Sequence, residues 1–145
     1  MSQEIVIFDI DGTLADISDR VHHLGKKPKD WDAFFGGMAE DRAVRSVVRL
    51  CQILHAAGLR VVLCSGRNES HRAPTVEWLA RQGVPYHELR LRRDGDFRSD
   101  TVAKREMLRG IDKRRVLFVV EDRRRVVEMW RSEGLVCLQC APGDF

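Results

Sequence analysis

Short apolar runs alternate along this chain with segments that have the spacing of amphipathic helices. The runs predict strands at about 4–9, 60–65, 86–91, 115–120 and 135–140, and the patterns between them predict helices at about 42–57, 70–82, 100–110 and 124–133. Gly58, Gly83 and Gly134 each follow a helical pattern, at the place where a glycine commonly ends a helix. This alternation predicts an α/β fold, with a parallel sheet of about five strands and helices on both faces.

The first apolar run, Ile5–Phe8, is followed directly by Asp9-Ile10-Asp11-Gly12-Thr13. In open α/β sheets, ligands and catalytic groups gather beyond the carboxyl ends of the strands. One carboxylate placed there can attack a phosphorus atom, while the other moves a proton. A strand followed by an ordinary Asx-type turn uses the same residue types, so this motif alone leaves that alternative open.

Three further motifs follow in order. The second predicted strand ends in Ser65-Gly66-Arg67, Asp100 and Lys104 begin a helical pattern, and the fourth predicted strand ends in Glu121-Asp122-Arg123. The ordered set of a carboxylate pair, a small hydroxyl, a lysine and an acidic pair resembles the haloacid dehalogenase (HAD) superfamily of phosphotransferases. The resemblance extends over nearly the whole chain and implies a HAD-like, Rossmann-type sheet.

The resemblance implies a role for each motif residue. Asp9 is expected to attack phosphorus and form an aspartyl-phosphate, and Asp11 to protonate the leaving oxygen and later to deprotonate water. Ser65 is expected to hydrogen-bond a phosphate oxygen, and Lys104 to offset negative charge on the phosphate and on Asp9. Asp100, one helical turn before Lys104, is expected to orient that lysine through an i,i+4 contact.

A narrower resemblance rests on other segments. Asp122-Arg123, Val126–Arg131 and Gly143–Phe145 resemble the 3′-phosphatase half of phage T4-type polynucleotide kinase-phosphatases, and Gly95–Arg98 and Arg20 fit the same family. The phosphate loop Gly-x-x-x-x-Gly-Lys-Ser/Thr of a kinase half does not occur in the sequence. This resemblance implies a phosphomonoesterase that removes 3′-phosphates from DNA or RNA ends, and a separate kinase or ligase partner is compatible with it.

Metal and substrate ligands are also implied by the resemblance. Mg²⁺ is expected on the side chains of Asp9 and Asp122 and on the backbone carbonyl of Asp11. Arg20 and Arg67, together with Ser65 and Gly66, are expected to bind substrate phosphate, since a guanidinium matches phosphate geometry. The related family carries Asp-Asp where this chain has Glu121-Asp122, so we leave the role of Glu121 open.

Two other functional interpretations remain open. One is a HAD phosphatase for a small phosphate ester, such as a nucleotide or a sugar phosphate. The other is an inactive nucleic-acid-binding module. The sequence also leaves open the preference for DNA or RNA, activity on 2′-phosphates or 2′,3′-cyclic phosphates, and the oligomeric state.

The segment from about 15 to 41 interrupts the alternation of strands and helices. HAD proteins carry a cap over the active site at this position, and this insert is too short for a separate cap domain. We therefore expect residues 1–145 to form a single phosphatase domain with a small cap insert and an open cleft. Trp31, Phe34 and Phe35 predict one short helix there, whose rings either pack on the core or stack on a base.

Charge and apolar content limit the remaining possibilities. The net charge is only +3, but cations are concentrated between residues 90 and 125, which predicts either a surface that attracts a polyanion or a solvated charged face. No apolar run approaches the roughly 20 residues that span a membrane, and the start of the chain lacks a signal-peptide pattern, so we expect a cytoplasmic protein. Cys137 and Cys140 have the spacing of half a zinc site without a second pair, so reduced thiols are expected.

Overall fold

A computed structural model describes residues 3–25 and 27–145. Its strands are β1 (Ile5–Phe8), β2 (Ala15–Asp16), β3 (Arg42–Ala43), β4 (Arg60–Asn68), β5 (Glu88–Arg92), β6 (Val116–Glu121) and β7 (Cys137–Gln139). Its helices are α1 (Trp31–Gly36), α2 (Arg45–Ala56), α3 (Arg72–Arg81), α4 (Asp100–Glu106) and α5 (Arg124–Ser132). Four short 3₁₀ helices lie at Val21–Leu24, Met38–Glu40, Glu69–His71 and Lys113–Arg115.

Five strands form one parallel sheet in the order β5-β4-β1-β6-β7, which confirms the predicted α/β architecture. β1 lies at the centre, with Ile7 beside Val62 of β4 and Val119 of β6. Because neighbouring parallel strands run in the same direction, the carboxyl ends of β1, β4 and β6 meet at one edge of the sheet. That edge carries the predicted catalytic motifs.

The two faces of the sheet are covered by different helices, as the uninterrupted apolar character of β1 requires. Side chains alternate along a strand, so Val6 and Phe8 pack with residues of α2 and α3, whereas Ile5 and Ile7 pack with residues of α5. Trp78 of α3 and Trp130 of α5 are fully buried, one in each cluster. These two cores hold the strand ends, and therefore the site, in fixed positions.

The insert contains more structure than the sequence predicts. β2 and β3 pair antiparallel at its two ends, and α1 confirms the short helix expected around Trp31. Ile17, Leu24 and Phe34 form a small third cluster beneath it. Phe34 is thus buried in this cluster, and it lines the cleft together with Trp31 and Phe35.

Several element boundaries differ from the prediction. The strand expected at 60–65 continues through Asn68, with a register irregularity after Cys64, so Ser65-Gly66-Arg67 lies within β4 and is not a turn. α2 begins three residues later than expected, at Arg45, because Arg42 and Ala43 belong to β3. Of the helices formed by residues 3–25 and 27–145, none combines the length and apolar character needed to cross a bilayer.

Candidate active site

Three carboxylates converge at the carboxyl ends of β1 and β6. Asp9 follows β1, Glu121 ends β6 and Asp122 comes next, and all three are buried. One carboxylate oxygen from each lies within 4.8 Å of the others. The hydroxyl of Thr13 is 3.1 Å from Asp9 Oδ2 and 3.3 Å from Asp122 Oδ1, so it links the two motifs. The structure thus brings together the nucleophile and the acidic pair that the sequence predicts.

Lys104 supplies the positive charge of this cluster. Its Nζ donates to Asp9 Oδ1 at 2.7 Å and to Glu121 Oε1 at 2.9 Å, and its side chain is buried. Glu121 also accepts from the indole N–H of Trp130 at 3.3 Å and from the backbone amides of Asp122 and Arg123. Glu121 therefore holds Lys104 in place. The sequence leaves the role of Glu121 open, and the structure places this residue against the lysine.

Asp100 does not hold Lys104 as predicted. Its carboxylate accepts from Arg92 and, at 3.0 Å, from Arg123 Nη1. No hydrogen bond joins Asp100 to Lys104 in the described part of the chain, because the lysine extends to the strand ends while Asp100 faces the two arginines. Asp100 remains close enough to raise the pKa of Lys104 through its charge.

The clustered charges shift the proton affinity of the site. Burial and the charge of Glu121 raise the pKa of Asp9 well above its ordinary value, against the opposing effect of Lys104. Burial and Glu121 likewise raise the pKa of Asp122 to about 7. Burial lowers the pKa of Lys104, but Asp9 and Glu121 outweigh it and raise that pKa well above its ordinary value. One ammonium thus balances three carboxylates only in part.

This donor set fits a divalent cation. Oxygen ligands from Asp9 and Asp122 suit Mg²⁺, and the excess negative charge of the cluster favours a cation over a neutral ligand. Gly12 has a φ of +85°, and a Cβ there would lie 2.0 Å from Asp122 Oδ2, so only glycine lets the carboxylate reach this position. The geometry does not test the backbone ligand expected from Asp11, which remains a prediction.

Asp11 is held by two arginines. Arg67 donates to it through Nε at 3.0 Å and Nη2 at 2.7 Å, and Arg20 donates through Nη2 at 2.7 Å. Arg20 also binds both carboxylate oxygens of Asp41, at 2.8 and 2.5 Å. Burial acts to raise the pKa of Asp11, but Arg67 and Arg20 overcome it and hold that pKa well below its ordinary value.

Arg20 and Arg67 do not extend freely into the cleft. Arg67 is 0% exposed and donates through Nη1 to Thr75 at 3.1 Å, and Arg20 is also buried. Arg20 additionally donates to the carbonyl oxygen of Phe34 at 2.5 Å. In this structure both guanidinium groups bind Asp11. The contact with substrate phosphate that the resemblance implies for these two arginines remains a prediction.

Ser65 and Gly66 occupy different positions relative to the cleft. Ser65 is fully buried, and its Oγ accepts from the backbone N–H of Arg67 at 3.1 Å. Gly66 lines the catalytic pocket together with Asp9, Lys104 and Asp122. A Cβ at Gly66 would lie 2.6 Å from Asp100 Oδ1, so the close approach of that carboxylate requires glycine. The phosphate contact expected from Ser65 is not tested by this arrangement.

The sequence does not predict four residues of the site, which are Thr13, Asp41, Thr75 and Trp130. Thr13 stands inside the first motif, so its hydroxyl could have been noticed beside the two carboxylates. Asp41 ends the insert and Thr75 lies within a helical pattern, and neither stands in a motif. A buried arginine requires such partners, but only the tertiary structure identifies them.

The family of the chain follows from comparison with known proteins. A sequence model described as the polynucleotide kinase PNKP phosphatase domain matches residues 3–145. A chain from a structure of the Pnkp1/Rnl/Hen1 complex is 32% identical with a TM-score of 0.83, and the match covers 99% of this chain and 48% of that one. A chain from a structure of the Pnkp1/Rnl/Hen1 RNA repair complex is also 32% identical, with a TM-score of 0.84 and coverages of 99% and 44%. This chain thus spans about half the length of these relatives.

More distant structures share the fold alone. A putative β-phosphoglucomutase from Thermotoga maritima is 17% identical with a TM-score of 0.63, covering 92% of this chain and 82% of that one. A haloacid dehalogenase-like family hydrolase from Streptococcus pneumoniae is 13% identical with a TM-score of 0.68, and the coverages are 94% and 84%. These matches confirm the HAD-like fold. Because the family model covers the chain almost from end to end, the chain belongs to the family of polynucleotide kinase PNKP phosphatase domains, a HAD-type phosphatase family.

Proposed function

We propose that this chain is a Mg²⁺-dependent phosphomonoesterase that removes the 3′-phosphate from nucleic-acid ends. The observation that carries the proposal is the buried contact of Lys104 with Asp9, beside Asp122 and at the carboxyl ends of central strands. The family supports a nucleic-acid substrate. We further propose that residues 1–145 act as one phosphatase domain in which the insert at 15–41 is a small cap.

The first half-reaction transfers the phosphoryl group to Asp9. A carboxylate oxygen of Asp9 forms the bond to phosphorus while the bond to the 3′-oxygen breaks, and Asp11 gives its proton to that leaving oxygen. Arg20 and Arg67 favour the ionised form of Asp11, but a bound phosphate next to them competes for their charge and raises the pKa of Asp11. In the second half-reaction, Asp11 removes a proton from a water whose oxygen bonds to phosphorus, while the bond from phosphorus to Asp9 breaks and inorganic phosphate leaves.

Mg²⁺ and Lys104 would both offset the negative charge of the reacting groups. Mg²⁺ held by Asp9 and Asp122 would reduce the repulsion between the anionic nucleophile and the anionic phosphate. Lys104 lies 2.7 Å from the nucleophile and keeps its own charge through Glu121. Thr13 keeps Asp9 and Asp122 at a fixed separation. Preorganised charge of this kind contributes most in a buried site, because water does not screen it.

The decisive assay compares substrates side by side. A 3′-phosphorylated oligonucleotide, its 5′-phosphorylated counterpart, a 3′-mononucleotide and a sugar phosphate are incubated with the protein, in DNA and RNA forms where both exist. We expect the highest kcat/KM on the 3′-phosphorylated oligonucleotide, and no phosphate release by Asp9→Asn. Equal rates on both oligonucleotide ends, or preference for the sugar phosphate, would favour a small-ester phosphatase. Binding without turnover would favour the inactive binding module.

The partner proposal rests on two of the relatives and has its own test. The two relatives at 32% identity come from structures of Pnkp1/Rnl/Hen1 complexes, one described as an RNA repair complex. We propose a separate kinase or ligase partner for this chain, and RNA as well as DNA ends as substrates. Affinity purification of the tagged protein followed by mass spectrometry would identify such a partner, and recovery of the chain alone would contradict it.

A further inference from the structure

An aromatic side chain stands almost entirely in solvent beside the catalytic pocket. Phe97, in the turn between β5 and α4, is 92% exposed, more than any other exposed large apolar side chain in the described residues. The next most exposed is Val136, at 61%. Single exposed apolar residues are common, so exposure alone does not assign a role to Phe97.

The position of Phe97 is more informative than its exposure. It lines a groove of about 520 Å³ that also includes the exposed Trp31 and the half-buried Phe35 and His71. This groove and the catalytic pocket share five lining residues, which are Trp31, Phe35, Gly66, Asp100 and Arg123. The groove is therefore a continuation of the catalytic pocket, and a substrate longer than its reacting phosphate would extend along it.

Ion pairs on both sides fix the turn that carries Phe97. Asp96 accepts from the backbone N–H of Arg98 at 3.1 Å and from its guanidinium at 2.9 Å. The guanidinium of Arg98 also donates to the carboxylate of Glu106 in α4, at 2.7 and 2.8 Å. Arg92 donates to the carbonyl oxygens of Asp96 and Arg98 and to the carboxylate of Asp100. The neighbours of Phe97 are thus bound to the protein, while its ring is left in water.

More cations than carboxylates line the groove, since Lys29, Arg92, Arg98, Arg123 and Arg125 stand against Asp32, Asp96 and Asp100. Among the ion pairs of the described residues, none includes Lys29 or Arg125, both of which line the groove. Burial and the charges of Arg123 and Arg125 lower the pKa of Lys29 against the opposing charge of Asp100, so these cations are close enough to repel one another. An anion in the groove would relieve that repulsion, and an aromatic ring beside it would accept a flat apolar group.

We propose that this groove binds the single-stranded nucleotides that precede the terminal phosphate, with one base stacked on Phe97 and a backbone phosphate near Lys29 and Arg125. Aromatic rings stack on bases of any sequence, and cations contact the phosphates between them. Phe97 is thus a residue that determines substrate length, and it takes no part in the reaction. The inference rests on the proposed function, because it assigns the remainder of the same substrate.

The experiment measures substrate length dependence in three variants. Wild type, Phe97→Ala and Phe97→Trp are compared by the ratio of kcat/KM on a 3′-phosphorylated hexanucleotide to kcat/KM on a 3′-phosphorylated mononucleotide. We expect Phe97→Ala to lower this ratio about 5- to 100-fold, mainly through KM, as for the loss of one base stack. Phe97→Trp should retain the ratio, because indole also stacks. Val136→Ala, an exposed apolar position outside the groove, should change the ratio less than about twofold.

A second measurement separates stacking from phosphate contact. Hexanucleotides with one abasic position are bound to Asp9→Asn protein and followed by fluorescence anisotropy, with and without Phe97→Ala. We expect one abasic position to weaken binding only when Phe97 is present. An unchanged ratio in Phe97→Ala, together with equal binding of all abasic oligonucleotides, would overturn the stacking proposal and leave the 3′-phosphatase function intact. Failure of the wild type to hydrolyse any 3′-phosphorylated oligonucleotide would refute the function itself.

Discussion

The ammonium of Lys104 lies 2.9 Å from Oε1 of Glu121, and both groups are buried. Glu121 holds the lysine with one carboxylate oxygen, while its second oxygen accepts from the backbone amides of Asp122 and Arg123. One side chain therefore positions two components of the site. A carboxylate at this place need not touch substrate to affect catalysis.

We expect Glu121→Ala to reduce kcat about 10²-fold, because Lys104 would lose the partner that directs it at Asp9. Glu121→Asp should remain within about tenfold of wild type, since a shorter carboxylate can still reach the lysine and the related family carries aspartate there. Steady-state kinetics on an aryl phosphate and thermal unfolding of each variant provide the check. A folded Glu121→Asp protein without activity would show that the length of this side chain matters as much as its charge.

Asp9 and Asp11 should respond differently to substitution. Asp9→Asn removes the nucleophile and should abolish turnover with the fold intact, as judged by circular dichroism. Asp11→Asn should lower kcat about 10²- to 10⁴-fold, the usual range for a general acid–base group. Rapid-quench trapping of labelled phosphate on the wild-type protein should show the aspartyl-phosphate. Substantial activity in folded Asp9→Asn would contradict the assignment.

Arg20→Ala and Arg67→Ala should lower kcat on long and short phosphate esters by similar factors, because both arginines hold Asp11. This uniform effect contrasts with the length-dependent effect expected for Phe97→Ala. Kinetics on an aryl phosphate and on an oligonucleotide would compare the two patterns. A loss confined to the oligonucleotide would assign the arginines to binding of distant phosphates.

Metal dependence should follow pH. Activity should require Mg²⁺ and disappear with chelator, and Mn²⁺ should substitute because it also accepts oxygen ligands. Burial and Glu121 raise the pKa of both Asp9 and Asp122, that of Asp122 to about 7, so a ligand carboxyl must lose a proton to bind metal at lower pH. The affinity for Mg²⁺ should therefore rise as pH increases through about 7. Calorimetry in buffers of different ionisation enthalpy would count the protons that are released on binding. An affinity for Mg²⁺ that does not change with pH would contradict a metal site built from these carboxylates.

Stability should depend on the ionisation of Asp11. Its folded pKa is lowered by Arg67 and Arg20, so its contribution is complete above the unfolded value of about 4 and is lost as pH falls towards the folded pKa. The difference in melting temperature between wild type and Asp11→Asn, both free of metal, should be largest near neutral pH and shrink below about pH 4. A difference in melting temperature that stays constant across this pH range would show that the stabilisation does not come from the ionisation of Asp11.

Motif residues are predictable because each directly follows an apolar run or begins a helical pattern. Asp9, Lys104 and Asp122 therefore come together as expected from parallel strand topology. The partner of Lys104 is not predictable in this way, because helical spacing suggests Asp100 while the contact across 17 residues to Glu121 depends on how α4 packs against α5 and β4. The extension of β4 through Asn68 escapes prediction because it lacks apolar residues, and the buried Arg67 within it is instead satisfied by Asp11 and Thr75.

Arg20 belongs to the insert, yet its guanidinium ends on Asp11 and Asp41. Any displacement of the insert that carries Arg20 along would remove one of the two cations from Asp11, the proposed general acid and base. Access to the cleft and the acidity of Asp11 are thus mechanically connected, so substitutions far from the phosphate that loosen the insert would also change the pH profile of catalysis.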